Sequence, residues 1–161
     1  MIKLVQSTER YKQHYSGMAR MLDPMSYGFT IEFPKDYEEF IEEYGECKIE
    51  NFIHIFPHSR VYIRTKTLRA SVAFVDFMLS FNKEIDREDF LDNVIYIGIG
   101  DERDMILFYK DHYYIFFYAV EELWLKFETL DLVFESYARG DYWDAFELNN
   151  FTTVCDYINE E

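Results

Sequence analysis

The chain has 161 residues, with 16 basic and 31 acidic side chains, 49% hydrophobic residues and 20% aromatic ones. That length suits one domain spanning residues 1–161 with a core large enough to need neither disulfide nor metal, and six Gly with three Pro exclude collagen-like, linker-rich and disordered architectures. A formal net charge of −15 argues against direct nucleic-acid binding, which depends on Lys and Arg displacing counterions from phosphates.

An acidic surface serves solubility or the electrostatically steered capture of a basic partner, and total charge does not separate the two. Its distribution is uneven: residues 121–161 hold eleven acids against two bases, whereas residues 1–30 hold two acids against four bases. The opening MIKLVQSTERYKQHY lacks an apolar run suited to a signal-peptide core, and nowhere do 18 uncharged apolar residues follow one another. A cytoplasmic protein without a membrane span is therefore expected. Cys47 and Cys155 match neither a disulfide framework nor a zinc knuckle, so both are expected as thiols.

In chain order, Glu9 to Leu22 is a poorly patterned candidate helix ended by Asp23-Pro24. From Phe33 to Gly45 the signal is clear, because Tyr37, Phe40, Ile41 and Tyr44 fall at i, i+3, i+4 and i+7. Pro34 suits the first helical position, Asp36 and Glu38 complement the dipole, and Gly45 suits a left-handed stop. Glu38, Glu39, Glu42 and Glu43 make the other face.

Asn51 to Phe56 and Val61 to Ile63, separated by Pro57-His58-Ser59-Arg60, predict a hairpin. Leu68, Val72, Val75, Met78, Leu79 and Asn82 predict one helix of about four turns. Glu84 to Phe90 is expected as a charged loop with at most a turn of helix. Val94 to Gly98, Met105 to Tyr109 and Tyr113 to Tyr118 are nearly unbroken apolar runs, the pattern of strands covered on both faces. Lys110-Asp111-His112 is short enough to pair the last two antiparallel.

Glu121 to Phe127 suggests a further strand, and Thr129 caps a helix through Leu130, Val133, Phe134 and Tyr137 to Gly140. The apolar density of the tail, residues 141–161, predicts a docked extension. The fold class is α+β: a single domain with helices packed on an antiparallel sheet.

Chemical motifs are sparse. Pro57 between His54 and His58 removes the helical zinc spacing, so a hairpin-end role is preferred. The stretch Ile97-Gly98-Ile99-Gly100 lacks a third glycine and precedes a strand, which excludes a dinucleotide loop. Asp101, Glu102 and Asp104 could hold a hard cation or act as paired carboxylates, but a solvated turn is the simpler expectation. No cofactor, metal site or catalytic residue is predicted. Tyr142 and Trp143, set between Asp141 and Asp144, have the composition of an interface hot spot facing a basic partner, or else belong to the core.

The segment Phe33-Pro34-Lys35-Asp36-Tyr37-Glu38-Glu39-Phe40-Ile41-Glu42-Glu43-Tyr44-Gly45 resembles the (L/F)P-x-DY-x-x-F(L/I)-x-x-YG segment of the SUKH superfamily, which includes yeast cell-wall regulators and many bacterial immunity proteins. Ile97 to Phe108 is similar to that family's I-G-x-D-x-x-G-D-x-I loop and strand, with Arg103 in place of its second glycine. Phe127 to Gly140 resembles its closing helix, so the likeness covers roughly residues 28–140. The resemblance implies an α+β fold and a non-enzymatic role in binding a co-encoded toxin domain, often a nuclease.

A nuclease needs basic surface, which an acidic inhibitor complements. The expected contact residues are Asp101, Glu102, Glu121, Glu122, Asp141, Tyr142, Trp143, Asp144 and Glu147, with Glu38, Glu39, Glu42 and Glu43 as the next face to search. The rival readings are a regulatory scaffold and a small hydrolase built on the Asp101–Asp104 loop.

Overall fold

The computed structural model describes residues 28–49, 53–100, 104–117, 123–139 and 153–154. The elements are α1 (Lys35–Tyr44), β1 (Cys47–Ile49), β2 (Ile53–Ile55), α2 (His58–Ala70), α3 (Val72–Leu79), α4 (Arg87–Asn93), β3 (Ile95–Gly100), β4 (Met105–Tyr109), β5 (His112–Phe117), β6 (Leu123–Phe127), α5 (Leu130–Arg139) and β7 (Thr153–Val154). The strands form one seven-stranded sheet in the order β6-β5-β4-β3-β2-β1-β7. Every pairing is antiparallel. The fold is therefore α+β.

Both faces of the central strands are covered, as their unbroken apolar runs predict. On β5, Tyr113, Ile115 and Phe117 enter one core cluster, while Tyr114 and Phe116 enter the other. Helices α1 and α5 supply the first cluster with Tyr37, Phe40, Ile41, Val133, Phe134 and Tyr137. Helices α3 and α4 supply the second with Val75, Met78, Leu79 and Phe90. Helix α2 joins both layers, giving Val61 and Tyr62 to the first and Leu68 to the second. The β4–β5 turn places Lys110 at φ 46° and Asp111 at φ 64°, the twist that a two-residue hairpin needs.

Three sequence expectations are corrected. Among the described residues of the predicted hairpin, Ile53–Ile55 is strand, and it pairs with Cys47–Ile49, with Cys47 opposite Ile55. Val61 to Ile63 lies inside α2 because Pro57, extended at ψ 164°, starts a helix whose buried residues Val61, Tyr62, Thr65 and Leu68 follow a helical repeat. Ile63 consequently faces solvent, 53% exposed.

The long helix from Leu68 to Asn82 is interrupted at Ser71, with φ −88° and ψ 63°. The Ser71 hydroxyl donates to the Thr67 carbonyl at 2.8 Å, closing α2 before α3 begins. Arg87–Asn93 is a helix where mostly loop was expected, capped by the Asp86 carboxylate accepting from the Asp89 N–H at 3.0 Å. Helix α1 begins one residue after Pro34, and Gly45, at φ 71°, ends it. The candidate helix Glu9–Leu22 lies outside the described residues, as does the tail apart from β7, which pairs with Lys48 and Ile49.

Buried phenols tie the layers together, since each tyrosine brings a hydroxyl that must keep a partner once desolvated. Tyr37 donates to the Phe56 carbonyl at 2.7 Å, and Tyr62 accepts from the Ile31 N–H at 3.0 Å. Tyr113 donates to Asp36 Oδ1 at 2.5 Å. The same oxygen accepts from the Tyr37 N–H at 3.0 Å, and Oδ2 accepts from the Leu130 N–H at 2.9 Å. One carboxylate thus serves the N-termini of α1 and α5 and strand β5.

Asp36→Ala should lower the unfolding free energy by about 3 kcal/mol, because it removes an acceptor from two helix starts and a buried phenol, and Tyr113→Phe should cost about 1 kcal/mol. Urea unfolding of both variants measures this, and a silent Asp36→Ala would contradict it.

Burial, reinforced by the bond to Asp36, pushes the Tyr113 phenol far above the ordinary tyrosine range, and burial raises Tyr96 to about 12. A pKa raised on folding stabilises the protein below the unfolded value, and that contribution is lost as pH rises toward the folded one. Stability should accordingly hold through neutral pH and decline above about pH 10, the unperturbed tyrosine value. Melting temperatures across the alkaline range check it, with a shallower decline for Tyr113→Phe.

Candidate functional site

Helix α1 carries Asp36, Glu38, Glu39, Glu42 and Glu43 against a single base, Lys35. Its apolar positions Tyr37, Phe40 and Ile41 are buried, which turns the glutamates outward at the helical period. Glu39 is 62% exposed and 3.8 Å from Lys35, a surface pair that contributes little. Glu42 and Glu43 are exposed, and the half-exposed Glu38 contacts His58 Nε2 at 2.7 Å.

Helix α5 lies beside α1 and runs in the same direction. Asp36 bonds the Leu130 N–H, and four residues further along both helices the Phe40 and Phe134 rings meet at 5.2 Å between centroids. This arrangement adds Asp131 and Glu135 to the acidic side. Burial raises the Asp131 carboxyl above the ordinary carboxylate range, and the charges of Asp36 and Glu135 act in the same sense. Leu132 stands 38% exposed among them. Two parallel helix N-termini converge on one carboxylate, an arrangement their dipoles favour, and Asp131 lies within reach of the charges of Asp36 and Glu135.

The opposite polarity collects on α2, whose Arg60, Arg64, Lys66 and Arg69 are unaccompanied by any acid. Arg60 contacts Glu46 at 3.1 Å, and the same carboxylate oxygen lies 3.1 Å from His54 Nε2. The two histidines therefore pair with separate carboxylates, one joining β2 to Glu46 and the other joining α2 to α1. Among the described residues no group of three or more His, Cys, Asp or Glu is placed to hold a metal ion, and no helix is long and apolar enough to cross a membrane.

All nine expected contact residues, Asp101, Glu102, Glu121, Glu122, Asp141, Tyr142, Trp143, Asp144 and Glu147, lie outside the described residues. Asp104 is described, and the solvated turn expected for it is corrected. Its side chain is fully buried and accepts from the Tyr137 hydroxyl at 3.2 Å, while its carbonyl accepts from the Gly100 N–H at 2.9 Å. Gly100 makes room for that ring, since a Cβ there would lie 2.1 Å from the Tyr137 oxygen.

Comparison of the chain with protein-family models, with characterised proteins and with solved structures finds no match.

Gly100→Ala should displace Tyr137 from Asp104 and destabilise the domain by about 2 kcal/mol, the range of overpacked cores. Thermal melting of the variant checks this, and an unchanged midpoint would contradict the close contact.

Proposed function

We propose that this protein is a non-enzymatic, immunity-type binding protein that masks a basic toxin domain, in particular a nuclease, through its acidic side. The observation that carries the reading is the parallel α1–α5 pair, which presents Glu39, Glu42 and Glu43 outward at helical spacing beside Asp131 and Glu135. The net charge of −15 supports it, because a protein that covers a phosphate-binding surface needs complementary charge. The resemblance of Phe33–Gly45 to the SUKH segment lends further support, and that segment is the one that builds the acidic helix.

The remaining proposed contacts are Asp101, Glu102, Glu121, Glu122 and the aromatic pair Tyr142-Trp143 with Asp141, Asp144 and Glu147. Burial of Asp104 beneath Tyr137 favours this reading over hydrolysis at the same loop, because a carboxylate withdrawn from solvent is poorly placed to meet a substrate. A cytoplasmic location fits the same role.

The test is binding of the purified chain to the toxin-like domain encoded beside it. Reversing Glu39, Glu42 and Glu43 to lysine should slow association about tenfold at low salt and flatten its salt dependence, with folding intact. Trp143→Ala should chiefly speed dissociation, by on the order of 2 kcal/mol. Binding that ignores both salt and the reversals would contradict the acidic-face reading, and absence of any complex would contradict the toxin partner.

A further inference from the structure

A second feature lies along the basic helix α2 and uses none of the acidic residues of α1 and α5. Between α2, α3 and the sheet there is an open pocket of about 270 Å³. Its walls are Leu68, Phe74, Tyr96 and Met105, and its polar lining comes from Arg64, Thr67 and Ser71 on the last turns of α2 and the break that follows. Apolar walls with a few convergent polar groups are the usual build of a small-molecule site, and this volume falls just under the roughly 300–1,000 Å³ common for drug-sized ligands.

Arg64 sets the polarity. Its guanidinium sits 5.5 Å from the centre of the Phe56 ring, folded onto the protein surface. Arg60 is engaged by Glu46, and Arg69 donates to the Val94 carbonyl. Among the described residues Arg64 has no carboxylate or carbonyl partner. The hydroxyls beside it are committed, with Thr67 donating to the Ile63 carbonyl at 3.0 Å and Ser71 to the Thr67 carbonyl at 2.8 Å. The guanidinium fork is thus left to meet a ligand's headgroup. The Arg64 charge also acts on the Tyr96 phenol, whose proton burial retains up to about pH 12, so the phenol is a donor at neutral pH.

We infer that this pocket binds a small amphipathic carboxylate, with its hydrocarbon body against Leu68, Phe74 and Met105 and its carboxylate on the Arg64 fork. A monoanion suits one guanidinium, which meets a carboxylate through two parallel N–H bonds. A phosphate dianion would call for more positive charge than this rim offers. The volume suits a short or medium acyl chain. Nothing in this assignment depends on the toxin reading, because it uses the opposite polarity and a different helix.

Octanoate is the probe, titrated calorimetrically into the full chain, with octanol as its uncharged counterpart. Octanoate should bind saturably at one site, with octanol at least about tenfold weaker, as expected for one charge-assisted bond pair. R64Q should weaken octanoate about tenfold while leaving octanol unchanged, and R64K should fall between. T67W, which fills the mouth from an exposed helical position, should weaken both ligands, with melting curves confirming that each variant is folded. Octanol binding as tightly as octanoate, octanoate binding unmoved by R64Q or T67W, or no saturable octanoate binding would each overturn the assignment.

Discussion

The Asp36 carboxylate holds together parts of the chain that are far apart in sequence. It accepts the Tyr37 N–H at the start of α1, the Leu130 N–H at the start of α5, and the Tyr113 hydroxyl from β5 of the sheet. Each helix start leaves N–H groups with no intrahelical partner, and a carboxylate there both fills the bond and meets the positive end of the dipole. Because one group serves both helices, their directions are coupled. The two acidic helices therefore start side by side, and the proposed binding face builds on an interaction made at their common base.

The same logic extends through the aromatic core. Tyr37, Tyr62, Tyr113 and Tyr137 are each almost fully buried, and each hydroxyl is bonded to a group from another part of the chain. The rings supply apolar area, while the hydroxyls fix the arrangement, since a misplaced layer would strand a desolvated donor at a cost of about 1–3 kcal/mol. At the irregular point of β3, the Thr65 hydroxyl accepts from the Tyr96 N–H at 2.9 Å, meeting a backbone donor next to the register shift. Charge is uneven among the described helices, with an excess of acids on α1, α4 and α5 and only bases on α2.

Much of this was legible where local pattern and tertiary environment agree. The runs that became β3, β4 and β5 are buried on both faces, and α1 carries its stripe, its acidic first turn and its stop glycine within a dozen residues. The failures have physical causes. Cys47–Ile49 is too short for any periodicity to mark it as the neighbour of β2. Helix α2 places polar Thr65 in the core and exposes Ile63, which hides its repeat. Asp104 looks like turn chemistry because its partner Tyr137 lies 33 positions away. Asp36 was legible as a dipole partner of its own helix, whereas its bond to α5 spans 94 positions. The acidic helix was visible in the sequence. The Arg64 pocket was not, because it needs α2, α3 and two strands brought together.

Hydrogen exchange at single amides tests the coupling most directly. In Asp36→Ala, the Tyr37 and Leu130 amides should lose protection together, and by more than the Ile115 amide in β5, which reports the global loss of stability. If Leu130 keeps its protection relative to Ile115, then α5 is held in place without Asp36, and the shared orientation of the two acidic helices has another cause.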